Sequence, residues 1–332
     1  MKRYNFPYSY KPKVNFKDTL RYISLFKKEL MDRLQKKYDA IEIFTPIAST
    51  LTNSNNAIYP DQRQIIFDNK FSDNIFQVNS QLDNYFCLIS NELNPISVIG
   101  FYDIINRDAK LNNLDSLTTQ TIMLDYYDLL ENHNIDYLNR LIKEIYKLVI
   151  ETTKEESLTK IYSASNLATS IIKTISTQEI EDHYPTIQLQ QGFTHYVNEN
   201  NLVILNKPFI TLKSGRIYKK GLAVSQSFNN SCILYAYNQF NDKEIELITI
   251  ASRPNGQLAK DQLLKQNPFE YDNKIYDQAL FDEKRAQSIS ININFSNLML
   301  FLLKKVHLAE VSKSIWEQDF LDFVKDEKIK IL

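Results

Sequence analysis

Glycine is the residue that this sequence lacks most clearly. The 332 residues include five glycines, where average usage would give about 23 in a chain of this length. They stand singly at Gly100, Gly192, Gly215, Gly221 and Gly256. Because glycine-rich phosphate loops need several glycines at fixed short spacings, neither a Walker A loop nor a G-x-G-x-x-G turn exists in this sequence.

Cysteine and histidine are also scarce. Two cysteines, Cys87 and Cys232, lie far apart in the chain, and the four histidines are scattered. This usage excludes a disulfide framework and a zinc site built from clustered ligands.

Neither sign of charge dominates, since 39 lysines and arginines face 40 acidic residues and the formal net charge is -1. The balance excludes a general electrostatic attraction to nucleic acid or to anionic membranes. The longest apolar run, 298–303, is far shorter than the roughly 18 residues of a membrane span. We therefore expect a cytoplasmic protein with no membrane contact.

Apolar residues repeat at helical spacing in three segments, which predict helices over 16–37, 135–149 and 298–306. The first helix has an apolar stripe of Leu20, Ile23, Leu30, Met31 and Leu34. An alternating pattern predicts a strand at 39–46, and further strands are expected at 64–68, 75–78, 97–102, 202–205, 231–237 and 244–250. The first of these ends at Pro46, as an edge strand would.

These elements predict a single α+β domain over 16–332, with helices packed on a mainly antiparallel sheet. Residues 1–15 form a basic, aromatic N-terminal arm, and residues 1–37 carry eleven basic against three acidic residues. The arm has four interleaved aromatic residues, Tyr4, Phe6, Tyr8 and Tyr10. Such rings could stack on the bases of single-stranded RNA. The alternative is a solvated tail.

The C-terminal segment carries a resemblance to a known family. Residues 288–303 read SISININFSNLMLFLL and lead on to His307 and Trp316. This run resembles, without a gap, the last segment of the ammonia-dependent asparagine synthetase A family. There, an IGGGIGxSRL run precedes a leucine-rich helix, a histidine turn and a Val-Trp-Pro end.

Further blocks follow the family's order at 40–47 (AIEIFTPI), 100–102 (GFY), 121–128 (TIMLDYYD) and 233–253. The resemblance thus covers nearly the whole chain. It implies the catalytic core of class II aminoacyl-tRNA synthetases, an antiparallel sheet flanked by helices. It also implies a homodimer formed through the segment that holds the first helix and Pro46.

The resembled family joins L-aspartate and ammonia through an aspartyl-adenylate, and converts ATP to AMP and pyrophosphate with Mg²⁺. If this chain retains the family activity, ATP and Mg²⁺ are its cofactors.

Carried over position by position, the resemblance places uncharged or acidic side chains where the family has basic ones. The arginine of the last motif falls on Asn297, the substrate-side lysine on Asp83, and the next basic pair on Tyr85 and Phe86. The glycines of that motif fall on Ser290, Ile291, Asn292 and Asn294. Since a triphosphate and a carboxylate substrate need cationic donors, these positions predict a degenerate site.

Some charged residues match the family and remain candidates for function. Glu246 falls on a metal-facing glutamate, and Asp242 and Glu244 share its face of a period-two strand. That face is either a Mg²⁺ site or a solvent-facing acidic edge. Arg253 falls on the arginine of the same block, and Arg107 lies two positions short of the arginine in the second motif.

Three functions remain open. The first is a degenerate paralogue that binds a ligand or serves as a structural protein. It is favoured because the basic positions named above are lost, the family's loop near 215–224 is shortened and has no counterpart, and the loop at 52–57 lacks the family's acidic residue. The second is a working ligase, for aspartate or another substrate, in which Glu246 holds metal and Arg107 or Arg253 holds phosphate. The third is an RNA-binding class II-like protein that uses the arm.

Overall fold

The computed structural model describes residues 6–7, 10–50, 63–78, 82–92, 96–128, 130–164, 171–222, 225–266, 278–283 and 287–332. The strands are β1 (Ile41–Glu42), β2 (Ala48–Thr50), β3 (Ile66–Asn69), β4 (Ser72–Val78), β5 (Val98–Ile105), β6 (Thr118–Tyr127), β7 (Lys173–Ser176), β8 (Leu202–Asn206), β9 (Ser231–Asn238), β10 (Lys243–Ser252) and β11 (Ser288–Asn294). The helices are α1 (Phe16–Tyr38), α2 (Asp83–Glu92), α3 (Ile135–Thr152), α4 (Glu156–Thr159), α5 (Thr177–His183), α6 (Leu189–Asn200), α7 (Gly256–Gln266), α8 (Phe295–Leu302) and α9 (Gln318–Asp326).

Eight strands form one sheet in the order β1-β5-β6-β11-β10-β9-β8-β7. The six central strands pair in antiparallel fashion, and the two edge strands β1 and β7 pair in parallel with their neighbours. Strands β2, β4 and β3 form a separate three-stranded sheet. The predicted α+β class with a mainly antiparallel sheet is confirmed. The strand predicted over 39–46 is present only as the short edge strand β1.

Helix α1 is bounded by two capping residues. The Asn15 side chain accepts a hydrogen bond from the backbone N of Asp18, which satisfies one of the free N–H groups of the first turn. At the other end, Asp39 adopts a φ of 47°, a left-handed conformation that ends the helix. Although α1 has 23 residues, neither it nor any other helix in the described parts of the chain is long and apolar enough to cross a membrane.

The buried side of α1 differs in part from the predicted stripe. Leu30, Met31 and Leu34 are buried as predicted, but Leu20 is exposed. The reason is that Tyr22 and Phe26 point away from the Leu20 side of the helix and occupy the side that faces the core.

Helices α1, α3 and α8 cover one face of the large sheet and form the main core with it. The stripe predicted for 135–149 is confirmed in α3, where Leu138, Ile145 and Val149 are buried. The helix predicted over 298–306 begins three residues earlier, at Phe295, and ends at Leu302. Its prediction was wrong for the last four residues because the chain turns at Lys304, which has a φ of 50°.

The N-terminal arm packs against the C-terminal part of the chain. The Phe6 ring stacks on the His307 ring with 5.7 Å between centroids. The Tyr10 hydroxyl donates to Oε2 of Glu310 at 3.0 Å. The other aromatic residues of the arm, Tyr4 and Tyr8, lie outside the described residues. Phe6 and Tyr10 therefore belong to the packing of the domain, which leaves them poorly placed to stack on RNA bases.

A buried lysine joins this arm to the core, and its replacement tests the contact. Nζ of Lys305 donates to the backbone O of Val14 at 2.8 Å and lies 3.7 Å from Oε2 of Glu310. We expect Lys305→Met to lower the free energy of unfolding by about 3 kcal/mol, because Glu310 would stay buried without its cation. Urea unfolding measures the loss. Lys313→Met, at an exposed position, is the control, and equal stability of the two variants would contradict the expectation.

Candidate ligand cleft

The sheet has one apolar face and one polar face, and strand β11 shows how the sequence creates them. Its polar residues Ser290 and Asn292 alternate with isoleucines, and alternate residues of a strand point to opposite faces. The isoleucines buried in the main core are Ile289, Ile291 and Ile293. The register sets Ser290 opposite Asp125 of β6, and Asn292 opposite Thr249 of β10. Polar side chains of three strands thus share the face away from the main core.

A cleft of about 450 Å³ opens over this polar face. Its lining includes the family-matched positions Glu246, Asn292, Asn294 and Asn297. Lys219 and Lys220, from the segment between β8 and β9, also line it, together with Asp115 from the β5–β6 loop. Among the described residues, the cleft therefore has two basic and two acidic side chains.

Glu246 is held from both sides within the cleft. Lys219 forms an ion pair with Oε2 of Glu246, and the Thr249 hydroxyl donates to Oε1 at 2.5 Å. A β-bulge in β10 between Glu246 and Ile248 allows this contact, because residues three apart in a regular strand point to opposite faces. Burial alone would raise the pKa of Glu246, but the Lys219 ammonium and the Thr249 hydrogen bond hold it below its ordinary value.

The asparagines that replace the family's glycines and arginine are engaged in local structure. Oδ1 of Asn294 accepts from the backbone N of Asn297 at 3.0 Å and caps α8. Nδ2 of Asn297 donates to the backbone O of Glu246 at 3.0 Å. Asn292 accepts a hydrogen bond from the Thr121 hydroxyl. These side chains shape the wall of the cleft and bring no charge to it.

A fully buried charge cluster lies on the same sheet face. Nε of Arg253 donates to Oδ2 of Asp125 at 2.5 Å, and Nη1 donates to the backbone O of Ser225 at 3.3 Å. Asp83, in the first turn of α2, is buried beside this pair. Burial raises the pKa of Asp83 to about 6, with Arg253 acting to lower it and Asp125 to raise it. Among the described residues, Asp125 is the ion-pair partner of Arg253, while Asp83 adds a second buried carboxyl group that the Arg253 charge acts on. Nη2 of Arg253 has no hydrogen-bond partner among them.

Aromatic side chains fill the space next to this cluster. Phe86 is buried, and a Cβ atom at Gly100 would lie 2.8 Å from its ring. The lack of a side chain at Gly100 is what allows this close approach. The Tyr85 hydroxyl donates to the backbone O of Phe44 at 3.2 Å. Positions 85 and 86 thus contribute packing where the resembled family has basic residues.

Arg107 lies outside the cleft lining. It is exposed in the loop between β5 and β6, and its Nη1 donates to the backbone O of Gln64 at 2.7 Å. The loop at 52–57, which the sequence comparison singled out, lies outside the described residues.

The three carboxylates of the predicted acidic face do not converge. Asp242 precedes β10 with a φ of 50° and accepts a hydrogen bond from the Tyr237 hydroxyl. Glu244 is held by Gln190 and Thr194 of α6. Only Glu246 reaches the cleft. In the portions of the chain that the structure describes, no three His, Cys, Asp or Glu side chains lie close enough together to hold a metal ion.

Comparison with known protein families shows which family the chain belongs to. The family model for aspartate-ammonia ligase matches residues 17–328. The chain belongs to this family. The aspartate-ammonia ligase of Lactobacillus johnsonii is 27% identical over 333 residues, with 98% of each chain covered. That of Clostridium perfringens is 24% identical over 343 residues and both chains are covered in full.

Solved structures show the same fold. Asparaginyl-tRNA synthetase from Pyrococcus horikoshii, complexed with asparaginyl-adenylate, has a TM-score of 0.65 and 11% sequence identity. The match covers 91% of this chain and 70% of that one. Asparaginyl-tRNA synthetase from Entamoeba histolytica has a TM-score of 0.59 and 11% identity, over 90% of this chain and 67% of that one. The predicted class II aminoacyl-tRNA synthetase-like core is confirmed.

The Mg²⁺ ion implied by the ligase family does not fit the donors of this cleft. Both carboxylate oxygens of Glu246 are engaged, one by Lys219 and one by Thr249. The nearest other acidic lining residue, Asp115, accepts a hydrogen bond from the backbone N of Lys110 at 2.8 Å. Mg²⁺ requires free oxygen ligands in near-octahedral arrangement, and the described residues do not offer them.

The sequence analysis missed three residues that shape the site of this ligase-family member. Asp125 stands within a block that matched the family, so the match itself was an available signal. Lys219 and Lys220 form a basic pair in the segment 215–224. Their position in the cleft follows from the path of the chain between β8 and β9, which residue spacing does not predict.

Two matched variants test the buried cluster. The folded-state pKa of Asp83 is above its ordinary value of 3.8, so the unfolded chain loses this proton at lower pH than the folded protein does. The stability of the wild type should therefore fall as the pH rises from about 4 to about 6. We expect Asp83→Asn to remove this fall and to gain about 2–3 kcal/mol relative to the wild type across that window. Chemical denaturation at pH 4, 5, 6 and 8 gives the comparison.

Asp125→Asn serves as the contrasting variant. It removes the carboxylate bonded to Arg253, and we expect a loss of about 3–5 kcal/mol at neutral pH, because the guanidinium would stay buried without this partner. If both variants lost stability to the same extent at pH 8, two assignments would be wrong: Asp125 as the main partner of Arg253, and Asp83 as a buried carboxylate that destabilises the folded protein.

Proposed function

We propose that this member of the aspartate-ammonia ligase family does not make asparagine at an appreciable rate, and that its cleft acts as a binding site. The observation that carries the proposal is the buried Asp83 beside the Arg253–Asp125 pair. With Asp125 paired to Arg253 and a further buried carboxyl group at Asp83, the cluster lacks the net positive charge that would attract a substrate carboxylate.

The expected loss of catalytic rate supports a binding protein over an active ligase. Loss of a single preorganised donor to a transition state commonly lowers the rate by about 10² to 10³. Here the substrate-side lysine is replaced by Asp83, the last-motif arginine by Asn297, and two further basic positions by aromatic residues. An aspartate would also have to lose its hydration beside the buried Asp83 carboxyl, which is costly without a paired cation.

The cleft that remains favours a ligand of low charge. Its two basic and two acidic side chains balance, and most of its other lining groups are amides and hydroxyls. The structural neighbour from Pyrococcus horikoshii is complexed with asparaginyl-adenylate, a mixed anhydride of asparagine and AMP whose phosphate carries one negative charge. We propose that ligands of the nucleoside monophosphate type suit this cleft better than ATP, whose triphosphate needs more positive charge.

An activity assay tests the proposal. With L-aspartate, ammonium, ATP and Mg²⁺, we expect no asparagine and no aspartate-dependent AMP above background. The enzyme from Lactobacillus johnsonii, assayed in parallel, is the positive control. Aspartate-dependent formation of asparagine and AMP at a rate comparable to that control would refute the proposal.

A variant that restores a positive charge tests whether missing charge is the reason for weak ATP binding. We expect Asn297→Arg to increase the affinity for ATP by about tenfold, because a cation facing a phosphate is worth more than one neutral hydrogen bond. Asn297→Gln keeps the amide and should leave ATP affinity unchanged. Isothermal titration calorimetry measures both. If Asn297→Arg and the double variant with Asp83→Lys both left a measurable wild-type affinity unchanged, missing charge would not be the reason for weak ATP binding.

We also propose that the chain forms a homodimer through the segment from α1 to β2. The supporting observation is a group of exposed apolar side chains in that segment. Phe44 is 97% exposed and Ile47 is 83% exposed. Ile41 is also exposed, and apolar surfaces of this kind mark protein interfaces.

Sedimentation at micromolar concentration tests the dimer. We expect the wild type to sediment as a dimer and Phe44→Glu to sediment as a monomer, since a charge at the centre of an apolar contact opposes association. Ile315→Glu changes an exposed apolar residue in the C-terminal part of the chain and should leave the dimer intact. A monomeric wild type would exclude this interface.

A further inference from the structure

A second cavity, of about 200 Å³, is formed by the start of β8, the turn between β9 and β10, and the end of α8. It shares no lining residue with the cleft. Two of its lining residues, Leu202 and Leu300, are buried in the main core, whereas the cleft opens over the opposite, polar face of the sheet. The cavity is therefore a separate candidate site, and it does not depend on the function proposed for the cleft.

The apolar part of the lining suits a flat ring. Besides the two leucines, it includes the half-buried side chains of Tyr237, Phe240 and Phe301. Aromatic side chains pack well against other rings in offset or edge-on arrangements. An apolar cavity of about 150 Å³ is large enough to bind benzene. The volume of this cavity thus admits one six-membered ring with a small substituent.

Three polar side chains of the lining are open to a ligand. Within the part of the chain that the structure describes, the Lys304 ammonium forms no ion pair, and the side-chain amides of Asn201 and Gln239 form no hydrogen bond. No aspartate or glutamate among the described residues lines the cavity. The lining therefore combines one unpaired cation and two amide donors with an apolar surface.

The other lysine of the lining, Lys305, has its charge balanced within the chain. Its Nζ lies 3.7 Å from Oε2 of the buried Glu310 and donates to the backbone O of Val14 at 2.8 Å. Lys305 thus joins the cavity wall to the N-terminal arm and adds no net charge. The charge that a ligand would meet is that of Lys304, and it matches a single negative charge.

The end of α8 does not oppose an anion in this position. Free carbonyl groups at the C-terminus of a helix carry partial negative charge. Here the backbone O of Leu300 accepts from the backbone N of Lys305 at 3.0 Å, and the backbone O of Phe301 accepts from that of Lys304 at 3.3 Å. Both carbonyl groups are therefore already engaged beside the Lys304 cation.

We propose that this cavity binds a small aromatic monocarboxylate. The ring of the ligand packs against Phe240 and Phe301, and its carboxylate pairs with Nζ of Lys304. The amides of Asn201 and Gln239 donate to the carboxylate oxygens. This inference goes beyond the proposed function, because it assigns a second ligand class to a different site.

Methyl NMR of the full chain, with leucine labelled with carbon-13 and benzoate as the titrant, tests the inference. We expect saturable shifts of the Leu202 and Leu300 methyl signals, with a dissociation constant on the order of 1 mM for a ligand of this size. Benzamide has the same shape without the charge and should bind about tenfold more weakly. Benzylamine, which has the opposite charge, should leave these signals unshifted.

Variants of Lys304 separate its charge from the shape of the cavity. Lys304→Gln should weaken benzoate binding by about tenfold and leave benzamide binding unchanged, because it removes the charge and keeps a hydrogen-bonding group. Lys304→Arg keeps the charge and should retain benzoate binding. Lys213→Gln removes an exposed lysine that pairs with Asp182 outside the cavity and should change nothing. The methyl spectrum of each variant without ligand shows whether it is folded.

The inference is overturned if benzoate leaves the Leu202 and Leu300 signals unshifted, if benzamide binds as tightly as benzoate, or if Lys304→Gln binds benzoate like the wild type. The proposed function fails separately, through formation of asparagine in the activity assay. A chain that made asparagine and still bound benzoate beside Lys304 would contradict the proposed function and leave this second site standing.

Discussion

The buried contact between Arg253 and Asp125 is the interaction on which the rest of the site depends. A guanidinium with no exposed surface needs an anion to offset the cost of leaving water. Asp125 supplies that anion from the neighbouring part of the sheet. Asp83 adds a second carboxyl group, whose pKa is raised to about 6 mainly by burial. The cluster thus holds one cation and two carboxyl groups, and this charge balance supports the proposal that a substrate carboxylate is not bound there.

One face of the large sheet packs in the main core, and the other carries the polar side chains of the cleft. Alternation in β11 places isoleucines in the core under α1, α3 and α8 and places Asn292 and Asn294 in the lining of the cleft. The fold can therefore persist while the polar face changes, since substitutions there leave the packing of the main core intact. This separation explains how the chain keeps an aspartate-ammonia ligase fold over nearly its full length and yet has a cleft with balanced charge.

Much of the fold was predictable, and much of the site was not. The stripe of α3 and the apolar runs of β9 and β10 are local patterns, and the structure confirms the helix and the two strands. Helix α2 was not predicted. Its buried side includes the acidic Asp83 together with Phe86, and an acidic residue does not contribute to an apolar stripe. The Lys219–Glu246 contact joins residues from different segments, and a bulge in β10 sets its geometry. Neither a bulge nor a loop path can be derived from residue spacing.

The Arg253 guanidinium is paired with Asp125 of its own chain, and we propose that L-aspartate does not reach it. Carbon-13 NMR of labelled aspartate side chains, titrated with pH in the presence and absence of L-aspartate, tests this proposal. We expect Asp83 to titrate with a pKa of about 6, and we expect added L-aspartate to shift neither the Asp83 nor the Asp125 signal. A saturable shift of either signal on addition of L-aspartate would show that the substrate reaches Arg253, and the proposal would be wrong.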